Sequence, residues 1–449
     1  MRTLLSAGRW ATLAVVLSVP GLRAAAPAGD PARPVLPESW PMLREKTFKT
    51  VWETVNEAYY DATFGGVDWA AMQEKYRARL PGTVDNEALR RLLQAMLGEL
   101  RRSHFAIMPR ETAVFTPAER VRIGTTGVEL AYVEDLAAVD TVKEGSAAAR
   151  AGLHPGDAIL RIDGLDLGVL SGHLTEAGFS PARRGLYVTQ LASGRLRGAV
   201  GSNVELEIRG ADGAERKVSV TCEANEGPWS EPMGNFPSLP VQCTARHEAS
   251  GIAYLHFNVF ARPAMKDIRG LLVSMPADGG LVFDLRGNPG GISIMASGIS
   301  GWLSDHVFLL GTMHLRQGHI GFTVSPQERA FLGPVAVLID SGSASTSEIM
   351  AAGLQEAGRV RVFGEDSPGA ALPSLVKALP TGDLLQYAIA DLQTPGGVMI
   401  EGRGVVPDEP VKRTLADLAA GHDPVLQAAQ HWLESKRRKV PAAAPTIAP

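Results

Sequence analysis

Residues Leu332–Gly358 read LGPVAVLIDSGSASTSEIMAAGLQEAG. The apolar run PVAVLI predicts a buried strand, the small residues SGSAS a tight turn, and SEIMAAGLQEAG an amphipathic helix that stops at Gly358. A strand feeding such a turn and then a helix exposes a hydroxyl at the helix N-terminus. There, free N–H groups and the helix dipole favour a developing negative charge. Ser345 holds that place and is the candidate nucleophile. Ser345-Thr346-Ser347-Glu348 also fits a capping box, with Ser345 as N-cap and Glu348 at N3. Alone the stretch favours the cap; the rest of the chain favours the nucleophile.

Strands and helices alternate on both sides of this stretch. GIAYLHF, PAMKDIRGLLVSM, GGLVFDLRGNPGG and ISIMASGISGWL precede it, and RVRVFGE and LLQYAIA follow it. That order predicts an α/β core over residues 225–434, closed by the turn-rich EGRGVVPDEPV and the helix DPVLQAAQHWLESKRR. Residues 435–449 are rich in Pro and Ala and read as a disordered tail.

Upstream, residues 40–115 read as a helical domain. Phe48, Val51, Trp52, Val55 and Tyr59 share one helix face, and Leu89, Leu92, Leu93, Met96, Leu97 and Leu100 share another. From Trp40 to about Arg110 the pattern is helical, and the domain ends in the pair Ser103-His104, where the helix pattern stops. A histidine there could cap a helix C-terminus or act as a base. Residues 121–224 change to short strands and turns. VELEIRGADGAERKVSVT reads as a hairpin turning at Asp212-Gly213.

The chain has 449 residues, too many for one core, and its 45% hydrophobic and 20% charged content is that of a globular protein. A formal net charge of −4 with no basic stripe argues against nucleic acid. Arg2 and Arg9, the short run ATLAVVLSV and Ala24-Ala25-Ala26 read as a signal peptide over residues 1–26, with a linker over 27–39. No other segment is long and apolar enough to predict a membrane span, so an exported protein of the periplasm or exterior is expected. Cys222 and Cys243 could pair in an oxidising compartment or stay two small buried residues. His247 is the only neighbour that could join them as a metal ligand, too few for a zinc site, and no metal or organic cofactor is expected.

Three stretches now combine: DLRGNPGG (Asp284 to Gly291), SGSASTSEI (Ser341 to Ile349) and EGRGVVPD (Glu401 to Asp408). With the strand-rich segment upstream, they resemble the superfamily of C-terminal processing (tail-specific) proteases and tricorn core proteases, over roughly Trp40 to Glu434. The resemblance implies an α/β ClpP/crotonase-like core and a serine peptidase working through an acyl-enzyme. GSAAARAGLHPGDAILRIDG resembles a PDZ domain, with an insertion at about 167–191. That implies capture of a peptide C-terminus beside Gly127, Val128, Glu129 and Leu130.

Carried over by motif, Ser345 is the nucleophile, and the oxyanion hole takes N–H groups from Thr346 and from Gly290 or Gly291. Tail-specific proteases place a lysine after the nucleophile helix, but Ala370 stands there in GEDSPGAAL. Lys377 is seven residues further on and would need another register. The tricorn-like branch uses serine, histidine and glutamate instead. On this chain that implies His104 as base, Glu401 as its acid and Ser103 as an orienting group. His256 and His314 lie outside the family motifs. The expected partners are protein or peptide substrates, and a homo-oligomer is compatible with the helical domain. The alternative is a non-catalytic protein on the same fold that binds peptides or hydrophobic ligands.

Overall fold

Apolar residues three and four apart give α1 (Trp40–Ala58) a face that buries Phe48, Val51 and Val55. Helix α2 (Trp69–Arg77) starts on Asp68, whose carboxylate accepts the Ala71 N–H. Helix α3 (Asn86–Gly98) starts in the same way on Asp85 and buries Leu89, Leu92, Leu93, Met96 and Leu97. The computed structural model describes residues 39–437. The segments read as signal peptide, nearly all of the linker, and the tail beyond 437 lie outside the described residues.

The helical pattern stops near Ser103-His104 as read from the sequence, and the residues from there to about Arg110 are not helical as the pattern suggested. After α3 the backbone turns through Arg101 and His104, at φ 51° and 61°, and enters strand β1 (Ala106–Met108). This strand pairs antiparallel with residues 384–386, nearly three hundred positions away. The helices also share their apolar core with Leu372, Leu379, Leu385 and Ala388. Tertiary pairing has overridden the local pattern, and His104 is fixed at the junction.

Next come β2 (Val128–Val133), β3 (Leu136–Val142) and β4 (Ala158–Ile162), then α4 (Leu167–Glu176) and α5 (Pro181–Arg195), then β5 (Asn203–Arg209) and β6 (Glu215–Thr221). The strands form an antiparallel sheet in the order β2-β3-β4-β5-β6, so β2 is an edge. The residues read as an insertion are α4 and most of α5. Helix α5 is N-capped by Ser180, begins with Pro181, and buries Arg183, Gly185 and Leu186 in its first two turns.

The core adds β7 (Cys243–His247), β8 (Ile252–Phe257), α6 (Met265–Val273), β9 (Gly280–Asp284) and α7 (Ile294–Ser300). It continues with β10 (Phe308–Leu315), β11 (His319–Val324), β12 (Val335–Ile339), α8 (Thr346–Glu356), β13 (Arg361–Gly364), β14 (Ser374–Ala378), β15 (Leu384–Ala388), β16 (Ala390–Gln393), β17 (Glu409–Pro410) and α9 (Pro424–Lys436). The main sheet has the order β7-β8-β9-β12-β13-β17, parallel from β8 onward. Every residue of β9 and β12 is buried, as a parallel sheet covered on both faces requires. Ile268, Leu272, Ile299, Ile349 and Leu354 from α6, α7 and α8 belong to the cluster on one face. Val425, Ala429 and Leu433 of α9 cover the other.

This topology creates the site. Strand β9 pairs with β12 up to Asp284 and Leu338, so the two chains leave the sheet side by side at its carboxyl edge. The turn after β9 therefore meets the turn after β12, where open α/β sheets place their chemistry.

Candidate active site

The turn after β9 is held from both ends. Asp284 is buried and paired with Arg286 at 2.6 Å, and Arg286 also reaches Asp423 at 2.7 Å. Burial opposes the Asp284 charge, but Arg286 overcomes it and keeps the carboxyl far below its usual range. Asn288 is fully buried. Its side chain donates to the Phe257 carbonyl at 2.6 Å and accepts the Gly290 N–H at 2.9 Å. Its carbonyl accepts the Ser347 hydroxyl at 2.7 Å and the Ala344 N–H at 3.1 Å. Asn288 thus stitches the glycine turn to the turn that carries Ser345.

Ser345 has φ 58° and ψ −115°, outside the ordinary regions for a residue with a side chain. Such a conformation costs on the order of 1–3 kcal/mol and persists only where its surroundings hold it. Here the Ser345 N–H donates to the Ala370 carbonyl and to the Glu348 carboxylate, both at 3.0 Å. Glu348 takes the N3 place of the expected capping box, its carboxylate accepting the N-cap N–H. The Ser345 hydroxyl is buried and has no hydrogen-bond partner. Gly290, at φ 105°, faces it closely. A Cβ there would sit 2.8 Å from the Ser345 Cβ and 2.9 Å from the Thr346 nitrogen, filling the space in front of that N–H. Because the Gly290 N–H is given to Asn288, Gly291 is the better second donor of the pair read from sequence. The Thr346 hydroxyl donates to the Gly291 carbonyl at 3.0 Å and ties these two positions together.

The second half of the site is assembled from distant segments. Ser103 Oγ lies 2.7 Å from His104 Nδ1 and donates to Glu401 Oε2 at 2.8 Å. With the hydroxyl proton on the carboxylate side, the serine oxygen must accept from Nδ1–H. The Nε2 of His104 is then left with a free lone pair. Glu401 also accepts the Ser103 N–H at 2.9 Å, the Ala371 N–H at 3.1 Å and Arg183 Nη2 at 2.8 Å. The Ser103 hydroxyl thus stands between Glu401 and the imidazole.

The electrostatics separate the two groups. Burial lowers His104 to about 4, with the Arg183 charge acting in the same direction and Glu401 opposing. Burial alone would raise Glu401, but Arg183 and the Ser103 N–H bring it below its usual value. The imidazole is therefore neutral and the carboxylate ionised at neutral pH.

Ala370 and Ala371 join the two halves, one accepting from Ser345 and the next donating to Glu401. The direct hydrogen bond between Ser345 and His104 is not formed here; such bonds commonly tighten only with substrate in place. Leu186 of α5 packs with Ala344 and Ala370 beside the serine.

Other residues read from the sequence lie elsewhere. Lys377 on β14 donates to the Thr54 hydroxyl of α1 at 2.9 Å. His256 Nδ1 lies 3.2 Å from the Asp284 carbonyl, and His314 pairs with Asp391 at 2.8 Å. Gly127 has φ 85° and precedes edge strand β2, where Val128 pairs with Val142 and Leu130 with Val139. No disulfide joins Cys222 and Cys243. Among the described residues no group of three or more His, Cys, Asp and Glu is placed to hold a metal, and no helix is long and apolar enough to cross a membrane.

Two site residues were missed. Arg183 falls in the stretch read as an insertion, and no local pattern marks it. Asn288 lies inside DLRGNPGG, yet its partners are backbone groups that the sequence does not display.

Residues 251–411 match Peptidase family S41, and residues 43–98 match the Tricorn protease C1 domain. A carboxyl-terminal-processing protease of Synechocystis sp. is 28% identical over 385 residues, spanning 84% of this chain and 82% of that protein. Among solved structures, the photosystem II D1 C-terminal processing protease superposes with a TM-score of 0.57 at 22% identity, covering 84% of this chain and 97% of that one. Mature CPAF in complex with lactacystin gives 0.59 at 13% identity, covering 88% and 97%. At these identities the superpositions speak for the fold.

Proposed function

The chain belongs to the S41 serine peptidase family, and from that premise we propose that it cleaves peptide bonds with Ser345, His104 and Glu401, the last acting through Ser103. The observation that carries this reading is the hydrogen-bond chain from Glu401 through the Ser103 hydroxyl to His104 Nδ1. It leaves Nε2 as the acceptor in the half of the site that Ala370-Ala371 joins to the unpartnered Ser345 hydroxyl.

Ser345 Oγ attacks the substrate carbonyl while His104 Nε2 takes its proton. The new oxyanion receives the Thr346 and Gly291 N–H groups, each worth roughly 10²–10³ in rate. His104 returns the proton to the leaving amine, and water then releases the acyl group from Ser345. Ionised Glu401 stabilises the imidazolium through the Ser103 hydroxyl.

In this reading the sheet of β2–β6 is PDZ-like, and edge strand β2 receives a substrate tail as an added strand, near Gly127–Leu130. Residues 1–26 direct export to the periplasm or exterior. The substrates are proteins or peptides.

Hydrolysis of an unfolded protein is the test, with Ser345→Ala, His104→Ala and Lys377→Ala beside the parent chain. The reading stands if the first two abolish turnover and the third leaves it unchanged. Turnover lost with Lys377→Ala and kept with His104→Ala would move the base to the lysine. The buried, unbonded Ser345 hydroxyl favours one second reading, a catalytically silent peptide-binding protein. A chain that neither turns over substrate nor reacts with an active-site phosphonate would establish it.

A further inference from the structure

Elsewhere in this chain a capping box is made in the ordinary way. At the helix Leu415–Ala420, the Thr414 hydroxyl accepts the Asp417 N–H at 3.0 Å and Asp417 accepts the Thr414 N–H at 2.9 Å. At Thr116 the box is again reciprocal, with Glu119 at N3. The box at Ser345 departs from both. The hydroxyl makes no bond, and the N3 carboxylate does far more. Glu348 is 1% exposed and accepts the N–H groups of Ser345, Gly369 and Ala370 at 3.0, 2.8 and 2.9 Å and the Ser367 hydroxyl at 2.5 Å.

Those partners lead to the other half of the site. Ser367 Oγ in turn accepts the Val405 N–H at 2.7 Å, and the Gly369 carbonyl accepts the Gly402 N–H at 2.8 Å. One carboxylate therefore ties the strained Ser345 turn to the loop 367–370, and through it to the segment that begins at Glu401.

We propose that Glu348 is a positioning residue, which takes over the cap from the Ser345 hydroxyl and so frees that hydroxyl for chemistry while locking the turn to the Glu401 segment. The inference rests on Ser345 being the nucleophile. A neutral amide at this place presents an NH2 to donors and cannot accept from all four. An aspartate keeps the bond to the N-cap N–H, as Asp417 does, but is one methylene short of the loop 367–370.

The experiment compares the full chain with Glu348→Gln and Glu348→Asp for kcat and KM on a peptide substrate, phosphonate labelling rate and thermal unfolding. Displacement of a reacting group by about 1 Å costs about 10²-fold. Accordingly Glu348→Gln should lose kcat and labelling rate by about that factor with KM within about twofold, and Glu348→Asp should fall between it and the parent chain. If both variants fold and keep the parent kcat and labelling rate, or lose only melting temperature, the inference is overturned. If Glu348→Gln does not fold, Glu348→Asp alone decides: reduced kcat with unchanged KM supports the inference, and parent-like kcat overturns it. A parent chain that is not labelled, with activity surviving Ser345→Ala, would mean instead that the nucleophile is wrong and would overturn the inference with it.

Discussion

The two halves of the site are built in opposite ways. The Ser345 half is one continuous strand–turn–helix, and the glycine turn it meets follows the neighbouring parallel strand. The His104 half draws on residues 103–104 after α3, Arg183 from α5, Ala371 from a loop and Glu401 from another. The first half is made by local backbone geometry, the second by charges and hydrogen bonds between segments hundreds of residues apart. Local geometry tolerates little change at single positions. An assembled network fails as a unit, because each member satisfies the next.

The largest test of that contrast is His104→Ala, which should cost at least about 10⁴-fold in kcat while the chain stays folded. Steady-state kinetics beside circular dichroism would check it; a loss under tenfold would remove His104 from the chemistry. If the assembled half acts as a unit, Ser103→Ala and Glu401→Gln should each cost about 10²–10⁴-fold, and the double variant little more than the worse single one. A double-mutant cycle on kcat/KM reads this directly, and fully multiplicative losses would break the unit. On the local half, Gly290→Ala puts a methyl in front of the Thr346 N–H and should lower kcat by about 10²-fold. Unchanged turnover would show that no oxyanion sits there.

The smallest expected effect concerns pH. Burial pushes Glu348 up to about 7, the Ser367 hydroxyl and the Ser345 and Gly369 N–H groups pulling it down and the charge of Glu401 pushing it up. As pH falls through about 7, a proton on Glu348 replaces one acceptor with a donor, and activity should decline. In Glu348→Gln that decline should vanish, leaving an acid limb at about 4, where His104 takes up a proton and can no longer act as base. The pH profiles of kcat/KM for the two proteins check both limbs.

The same contrast explains what was legible before the structure. PVAVLI-DSGSAS-TSEI announces itself because strand, turn and helix signals are adjacent in sequence, and DLRGNPGG likewise. His104, Ser103 and Glu401 became readable only through family resemblance, since no local pattern distinguishes a base from a helix-capping histidine. Arg183 was unreadable because its partner is 218 positions away. Glu348 was visible as a cap, while three of its four donors come from residues 367–370. Strand β1 was lost inside an apolar helical pattern, since three residues are too short for alternation to show.

That short strand has a consequence for the order in which a ribosome delivers the chain. Ser103-His104 emerges early, but the strand that anchors its neighbour, Leu384–Ala388, and the carboxylate at 401 emerge nearly three hundred residues later. The turn at Ser345 comes between them. From the synthesis of Ser345 to that of Glu401, then, the growing polypeptide holds this serine without the carboxylate that orients the imidazole. On the proposed mechanism, competence to cut waits for the chain through Glu401 to be made and to meet Ser103-His104.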